Sequence, residues 1–575
     1  MVSIRLVIVL IVLSGLGTPR VSMAGSKGFV LPPATLRVGS DPACDFSSLG
    51  DALDAAADRD LILVNSGTNF LTNGFEINEK SLTLIGGYPS CTADESDPDA
   101  RSAMSGVALS SVLEIQNATA TQRTVVVRNF VIRGGRSDQT GGGGIDIREN
   151  VRVRLDNVWV QENESTTGGG ISIRGLGFPA SLRLEGGTRV GLASEMFGNT
   201  ASEEGGGIFC RRAAIEWVDA TIEWNAAEEG GGLYAFECQV TTPPITDDGP
   251  AQIVGALNNT AASIGGGISL RSIGVGESSI QLSSSPQRQI LISGNSVGGD
   301  GGGVALSESS FIGDGIAIVD NQSGNSGGGV RVFSSIFDLD RGDGGTCANL
   351  QRCSQISGNS AETSAGAVYV LSGTADLRQT FIDNNESDRA PVILATGSDS
   401  MVVMRSVQIS GNVETGLVNS TLMFGSMSAF DMNFVTVTGN TSDRVIELIN
   451  NSSLAVSNSI WWEPAMELVV GDESSGTASA CMNASDDSSF SADTRDPEFE
   501  IIVQNGQTPI YALADTSPNV DACAGVAMKG MGLSVDALGE SRFVDQPDIA
   551  NGPGFQDRGA FELQLPLLSD GFEDP

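Results

Sequence analysis

A run of three glycines followed by a short apolar strand recurs along the middle of this chain, and it limits the possible folds more than any other feature. The segment "NTASEEGGGIFC" at 199–210 is followed by "NAAEEGGGLYA" at 225–235. Glycine loses more conformational freedom on folding than any other residue, so repeated glycine runs need a structural reason. The runs begin at Gly141, Gly168, Gly205, Gly230, Gly265, Gly301 and Gly327, and a variant begins at Ala365.

An asparagine precedes each of the last seven runs by five or six residues. These asparagines are Asn163, Asn199, Asn225, Asn259, Asn295, Asn321 and Asn359, and the series continues without glycines at Asn385, Asn412 and Asn440. The shortest repeats hold 25 or 26 residues, whereas a propeller blade needs about 40. Short β-branched strands between Gly, Asn and Ser turns, without a helical period, indicate a parallel β-helix with three strands in each coil.

Stacking of the coils explains both repeated residue types. Equivalent residues of neighbouring coils lie about 4.8 Å apart, so an asparagine at each turn can form a hydrogen-bonded ladder. Tight bends and close backbone approach both favour glycine. We therefore predict one column of asparagines and one core column. The core column contains Ile208, Leu233, Ile268 and Val304.

The composition excludes several classes of function. The 575 residues carry a formal net charge of -38, with 70 acidic against 32 basic side chains and no histidine. Nucleic acid and anionic membrane surfaces would repel such a chain, whereas divalent cations would not. Without histidine there is no Ser-His-Asp or Cys-His nucleophile and no histidine zinc site.

The N-terminus predicts export. Arg5 precedes an apolar stretch at 6–13, and small residues at 22–24 predict cleavage after Ala24. A membrane anchor is the alternative, but the apolar stretch is too short to span a bilayer easily. We expect no membrane span after the signal peptide is cleaved.

Eight cysteines in an exported chain predict disulfide bonds. Neighbours along the sequence predict the pairs Cys44–Cys91, Cys210–Cys238, Cys347–Cys353 and Cys481–Cys523. Metal binding is the alternative, but the sequence has neither a CxxC motif nor a histidine to complete such a site.

The central segment resembles the right-handed β-helix repeats of the pectin-lyase-like superfamily, and in particular the glycine-rich repeats of polymorphic outer-membrane proteins. "CDFSSLGDALDAAADRDLILVNSGTNF" at 44–70 is similar to the short helix and first strand of that superfamily, and "SLTLIGGY" at 81–88 to its next coil. The resemblance implies an all-β fold. It would be a single right-handed parallel β-helix solenoid with N-terminal and C-terminal caps.

The C-terminal end resembles the closing segment of many secreted bacterial β-helix proteins. "SNSIWWEP" (457–464), "DPEFE" (496–500), "DTSPNVDAC" (515–523) and "DRGAFE" (557–562) resemble that segment, in which DP-x-F, SP-x-ID-x-G and DIGAYE-like strings follow one another. Cys523 stands where that pattern has a glycine, and Arg558 where it has an isoleucine. The resemblance implies fold and export, but the fold carries many functions.

These features divide the chain into five parts. We expect a signal peptide at 1–24, an N-terminal cap with the first coils at 25–105, and the central β-helix at 106–470. A closing segment at 471–563 and an acidic tail at 564–575 follow. The tail resembles sorting tags of exported Gram-negative proteins, with a frayed terminus as the alternative.

The expected role is structural or binding. We predict a monomeric, secreted or cell-surface protein of a Gram-negative bacterium that contacts polysaccharide or cell-surface glycan, adhesin-like, with no required cofactor and no identified catalytic residue. The alternative is a polysaccharide lyase or glycoside hydrolase, because glycoside hydrolysis needs only two suitably spaced carboxyl groups. The polygalacturonase strings NTD, GHG and RIK are absent.

Two acidic pairs suggest a calcium site. Glu203-Glu204 and Glu228-Glu229 occupy the same place in successive repeats. Stacked coils would bring their carboxylates together, and calcium, which takes carboxylate oxygens in flexible geometry, would relieve the repulsion. The alternative is that these glutamates point separately into water.

The length of the repeats varies in one interval. From a glycine run to the next asparagine the chain takes 20 or 21 residues in three repeats and 29 to 32 in four. The extra residues lie within 175–194, 237–256, 273–288 and 333–352, and we expect them to leave the stack as loops from one flank or its adjoining edge. Such loops often bind ligands. The candidate binding residues are Asp247, Asp248, Arg341, Gly342 and Asp343.

Overall fold

Parallel strands wound into a right-handed β-helix make up nearly all of this computed structural model. The structure describes residues 32–138, 141–175, 177–192, 198–244, 252–273, 278–285, 287–341, 354–416, 420–471, 474–478, 481–485, 493–502, 509–523, 534–542, 544, 546 and 556–564. The predicted signal peptide and nearly all of the predicted acidic tail lie outside these residues.

Each central coil contains four strands, one more than the sequence predicted. Three strands of each coil, here named A, B and C in chain order, belong to a 41-stranded sheet, and the fourth, D, belongs to a 10-stranded sheet. The D strand lies between the asparagine and the glycine run. It was expected to be a turn, but successive D segments stack closely enough to pair with one another.

The strands of each column are continuous from coil to coil. The A strands are Phe75–Asn78, Leu113–Gln116, Ile145–Arg148, Ile171–Arg174, Ile208–Arg211, Leu233–Phe236, Ile268–Arg271, Val304–Ser307, Val330–Phe333, Val368–Leu371, Arg444–Ile449 and Glu467–Gly471. The B strands are Thr35–Val38, Leu61–Asn65, Leu82–Tyr88, Arg123–Arg128, Val151–Asp156, Ser181–Glu185, Ala214–Trp217, Gln239–Thr241, Ser279–Ser283, Ser310–Asp314, Ile336–Asp340, Thr374–Arg378, Ser453–Ser457 and Ser475–Ala478.

The other two columns follow the same order. The C strands are Asn69–Thr72, Ser102–Gly106, Phe130–Arg133, Trp159–Gln161, Thr188–Gly191, Ala220–Glu223, Gln252–Leu257, Arg288–Ser293, Ile316–Val319, Ser354–Ser357, Thr380–Asp383, Ser459–Trp462 and Met482–Ala484. The D strands are Arg136–Ser137, Glu164–Thr167, Thr200–Glu204, Ala226–Glu229, Thr260–Ile264, Ser296–Val297, Gln322–Ser323, Ser360–Ala361, Glu386–Ser387 and Val413–Glu414. Ile393–Ser410 and Thr421–Thr438 each run through A, B and C without a break.

The predicted core column is confirmed. Ile208 pairs with Leu233, Leu233 with Ile268, and Ile268 with Val304, and all four side chains are fully buried. Alternate residues of the A, B and C strands point inward in the same way, so one apolar core extends along the stack.

The predicted asparagine ladder is also confirmed, and it runs without interruption from Asn163 to Asn440. In every step the backbone N–H and the side-chain Nδ2 of one asparagine donate to Oδ1 of the next, at 2.9–3.2 Å. The ladder lies at the bend between the C and D strands. It satisfies polar groups that burial would otherwise leave without partners.

The glycine runs form the bend between the D and A strands. From the run at Gly168 onward the first residue is left-handed, as at Gly205 with φ 68°, and Ala365 adopts the same conformation with φ 58°. The second lies too close to the next coil for a side chain: a Cβ on Gly206 would be 2.4 Å from the carbonyl oxygen of Ala226. Conformation therefore selects the first glycine and close packing selects the second.

A short helix packs near the N-terminal end of the stack. Leu49–Ala55 begins after Ser48, whose side chain accepts a hydrogen bond from the N–H of Asp51. Leu49 and Leu53 are buried in the common core. No helix within the described ranges is long and apolar enough to cross a membrane.

The C-terminal segment lies against the outside of the C strands. It contains the antiparallel pair Phe499–Ile502 and Ile510–Leu513, and Tyr511 N of the second strand donates to Gln408 Oε1 at 2.9 Å. Further along, Ala560 N donates to Thr436 Oγ1 at 2.8 Å. In this part of the molecule the outer face of the C strands is therefore covered by the chain itself.

Three disulfide bonds join cysteines that the sequence had paired. They are Cys44–Cys91, Cys210–Cys238 and Cys481–Cys523, with Cα–Cα distances of 5.2, 6.2 and 5.6 Å. The fourth predicted pair, Cys347–Cys353, lies outside the described residues. Three disulfides fit an extracellular protein.

Candidate functional site

The extra residues of the long repeats lie mainly at the bends on either side of the B strands. Segment 272–278 separates an A strand from its B strand, and segments 242–251 and 341–353 separate B strands from C strands. In the first long repeat, 175–180 also lies between A and B, but 192–199 lies between C and D. Only 192–199 therefore departs from the expected flank and adjoining edge, because the interval from a glycine run to the next asparagine contains three bends.

Most of the candidate binding residues in these segments lie outside the described part of the chain. Asp247, Asp248, Gly342 and Asp343 are in this group. Arg341 is described and half-buried, and its Nη1 donates to the carbonyl oxygen of Leu538 at 2.6 Å. Its guanidinium thus contacts the chain's own C-terminal segment.

Charged side chains collect on the outer face of the B strands. In Ile336–Asp340, Phe337 and Leu339 are buried, so the alternate residues Asp338 and Asp340 point outward. The next B strand, Thr374–Arg378, follows the same alternation and directs Asp376 and Arg378 outward.

Parallel register brings these side chains together. Asp338 pairs with Asp376 in the next coil, and Asp314 pairs with Asp340. We call these four aspartates and Arg378 the acidic cluster. In the chain, Asp340 directly precedes segment 341–353, one of the insertions.

Arg378 connects the cluster. It forms an ion pair with Asp376, and its Nη2 and Nη1 lie 3.6 Å from Asp338 Oδ2 and 3.7 Å from Asp340 Oδ2. The side chains of these three aspartates are 21–34% exposed. They are thus accessible to a ligand and still partly removed from water.

One cation does not neutralise four carboxyl groups. Burial raises the pKa of Asp338, Arg378 lowers it, and the neighbouring aspartates raise it again. Burial also raises the pKa of Asp340, against the N–H of Arg341 and the charge of Arg378. Burial therefore makes Asp338 and Asp340 easier to protonate than free carboxyl groups, and the cluster offers hydrogen-bond acceptors and the donors of Arg378 on rigid strands.

The predicted glutamate group is only partly assembled. Glu204 pairs in register with Glu229, but Glu203 and Glu228 are exposed. Burial raises the pKa of Glu204, and a hydrogen bond with Tyr234 opposes this shift. Among the described residues, no group of three or more His, Cys, Asp or Glu side chains is placed to hold a metal ion. Calcium at the glutamates stays a prediction.

A separate open cleft lies beside the D strands near the N-terminal end of the stack. It has a volume of about 810 Å³, and Leu109, Arg136, Glu164 and Trp224 contribute to its lining. Arg136 and Glu164 lie 3.7 Å apart, but both side chains are more than 60% exposed. An exposed pair of this kind is weak and well hydrated.

Sequence reasoning missed the acidic cluster. The available signal was the alternation in "IFDLD" at 336–340 and "TADLR" at 374–378, which directs charged residues to one side of each strand. The contact between the charged residues of these two strands depends on the register across the 13-residue segment 341–353. The charged candidates chosen from the sequence lay within the insertions instead.

Comparisons with known proteins add little beyond the fold. No family model matches the chain and no curated protein matches it. Among solved structures it is similar to the pectin methylesterase from Aspergillus niger in deglycosylated form. The identity is 12% over 68% of this chain and 90% of that chain, with a TM-score of 0.19. The fold assignment therefore depends on the strand pairing described above.

Proposed function

We propose that this chain is an exported protein, secreted or held at the surface of a Gram-negative cell, that binds polysaccharide or cell-surface glycan as a monomer. The observation that carries the proposal is the acidic cluster on the outer face of the B strands. Carboxylates accept hydrogen bonds from sugar hydroxyls, and Arg378 supplies donors to ring and hydroxyl oxygens.

The surroundings of the cluster support this role. The B strands are fixed by the parallel sheet, so the charged groups are held in place before a ligand binds. The insertions adjoin B strands at 242–251, 272–278 and 341–353, where loops can extend the contact surface. Their residues Asp247, Asp248, Gly342 and Asp343 remain part of the proposed surface.

A glycan array tests the proposal. Replacing Asp338 and Asp376 together by Asn keeps their shape but removes two charged acceptors, so binding should weaken by at least about tenfold. Glu164→Gln removes an exposed carboxylate from the cleft beside the D strands and serves as the matched control. Wild-type binding by the double variant, or loss of binding only in Glu164→Gln, would overturn the proposal.

A second candidate function, a polysaccharide lyase or glycoside hydrolase, uses the same carboxyl groups. It is favoured by the raised pKa of Asp338 and Asp340, caused mainly by burial, because a protonated carboxyl beside an ionised one is the arrangement that acid–base catalysis needs. Release of reducing ends or unsaturated sugars by the wild type, lost in Asp338→Asn, would establish this activity. Binding without release would exclude it for the glycans tested.

A further inference from the structure

A second feature of the B-strand face is a polar cleft at the bend between B and C strands. Its volume is about 560 Å³, and its lining includes Thr241, Thr242, Gln281, Ser283, Ser284 and Arg288. Small-molecule sites commonly measure about 300–1,000 Å³. The cleft is large enough for a substituted sugar residue, and its walls consist mostly of hydroxyl and amide groups.

Arg288 is the buried cation of this cleft. The residue is 2% exposed, and reciprocal backbone hydrogen bonds of 3.0 Å join it to Ser285. Its Nη2 donates to the carbonyl oxygen of Pro243 at 2.8 Å, and its Nη1 lies 3.5 Å from that of Ser283. The guanidinium is therefore fixed in position by backbone oxygens.

The fixed guanidinium retains unused binding capacity. A guanidinium has five N–H donors, and the two carbonyl oxygens use two of them. Nε has no hydrogen-bond partner, and Arg288 forms no ion pair with any residue that the structure describes. Arg128, at the end of another B strand, instead forms an ion pair with Asp156, to which its Nε and Nη2 both donate.

An unpaired buried cation is costly, because removal from water is not offset by a counter-charge. Burial lowers the pKa of Arg288, the charge of Asp219 opposes this shift without forming an ion pair, and the like charge of Arg183 lowers the pKa further. The chain is otherwise strongly acidic, with a net charge of -38. A cation kept in this setting without a carboxylate partner is suited to an anion from outside.

We infer that this cleft binds one oxyanion group, a carboxylate or a sulfate or phosphate ester, carried by the glycan on the B-strand face. The inference rests on the proposed function. The planar guanidinium matches the geometry of such groups, and the threonine and serine hydroxyls supply further donors. Ser283 Oγ also donates to Asp314 Oδ2 at 2.9 Å, so the cleft adjoins the acidic cluster. The uncharged hydroxyl groups of a glycan would contact the acidic cluster while the oxyanion group of the same glycan contacts Arg288.

Matched polymers test the inference: neutral dextran, carboxymethyl-dextran and dextran sulfate, at an ionic strength of about 0.15 M, where long-range attraction is screened. The wild type should prefer both charged polymers. Arg288→Gln should reduce their affinity at least about tenfold and leave the affinity for neutral dextran unchanged. Arg128→Gln removes the same charge from an ion-paired B-strand site, so it should behave as the wild type.

Free anions separate this inference from the proposed function, because they need no glycan. Sodium sulfate and sodium acetate should raise the melting temperature of the wild type and Arg128→Gln more than that of Arg288→Gln. Sulfate also stabilises proteins in general, and this effect is removed when the variants are compared at the same salt concentration. Arg288→Lys keeps the charge but not the planar donors, and should retain the fold with weaker anion selectivity. Equal shifts in all variants, or equal affinities for the charged polymers, would overturn the inference even if neutral glycan binds.

Discussion

The bend between the C and D strands and the bends on either side of the B strands follow different rules. At the bend between the C and D strands, an asparagine makes the same hydrogen bonds in successive coils from Asn163 to Asn440. At the others, sequence and length change from coil to coil, and charged groups collect on the strand between them. The ladder at the C–D bend thus fixes the stack, and the bends beside the B strands carry most of the variation in length.

The end of the ladder shows how strictly its chemistry is kept. The backbone N–H and Nδ2 of Asn440 donate to Glu463 Oε1 at 2.9 and 2.8 Å. A carboxylate accepts hydrogen bonds without needing to donate any, so Glu463 can end a series of donors where another asparagine would require a further acceptor. Burial raises the pKa of Glu463, and the Asn440 hydrogen bonds oppose that shift.

The largest expected effect is on the core column. Ile268→Asp would place an unpaired charge in a fully buried position, and we expect the free energy of unfolding to fall by at least about 3 kcal/mol. Ile312→Asp introduces the same charge at a B-strand residue that is 39% exposed and should cost much less. Urea denaturation compares them, and similar losses in both variants would contradict the assignment of inner and outer faces.

A smaller loss is expected when the ladder is interrupted. Asn321→Ala removes the acceptor of the Asn295 backbone N–H and Nδ2, which donate to it at 3.0 and 2.9 Å. Two buried donors without partners should cost about 2–4 kcal/mol. Gln322→Ala changes the adjacent, exposed residue and is the control. If Asn321→Ala were as stable as this control, the ladder would not be what fixes the stack.

The sequence predicts the regular side of the coil well because the same residue returns at the same position. The asparagine and Ile208 columns could be predicted from spacing alone. The acidic cluster could not, because the contact of Asp338 with Arg378 depends on the register across an insertion. The C-terminal segment could not either, since Gln408 meets Pro509 through a contact between residues about 100 positions apart.

The C-terminal segment should make the stability of the protein depend on pH, whereas the asparagine ladder should not. Asp536, Asp557 and Glu562 lie around the fully buried Arg542, and burial raises the pKa of all three carboxyl groups. Above about pH 4, the ordinary carboxyl range, the folded state therefore binds more protons than the unfolded state. Stability should fall as pH rises through the raised pKa values.

Melting temperatures measured from about pH 5 to about pH 8 test this sign. Asp557→Asn removes one of the titrating groups, so its melting temperature should fall less steeply over that interval than that of the wild type. Asn321→Ala should lower the melting temperature at every pH without changing the slope. A wild-type slope in Asp557→Asn would show that the buried acids do not control the attachment of this segment.

The smallest effect is expected at the glutamates before the glycine runs. Because Glu203 and Glu228 are exposed, we expect EDTA to change the melting temperature of the wild type and of the Glu203→Gln, Glu228→Gln double variant equally. A decrease in the wild type that the double variant lacks would establish a calcium site here. It would also extend binding to the regular side of the coil.

Carboxyl labelling read by mass spectrometry tests the central claim most directly. The protein is labelled with a carbodiimide and glycine ethyl ester, with and without the carboxyl-free glycan that binds most tightly in the array. The account predicts that the glycan protects Asp338, Asp340 and Asp376 and leaves Glu164, beside the D strands, labelled as before. Protection of Glu164 without protection of the three aspartates would contradict it.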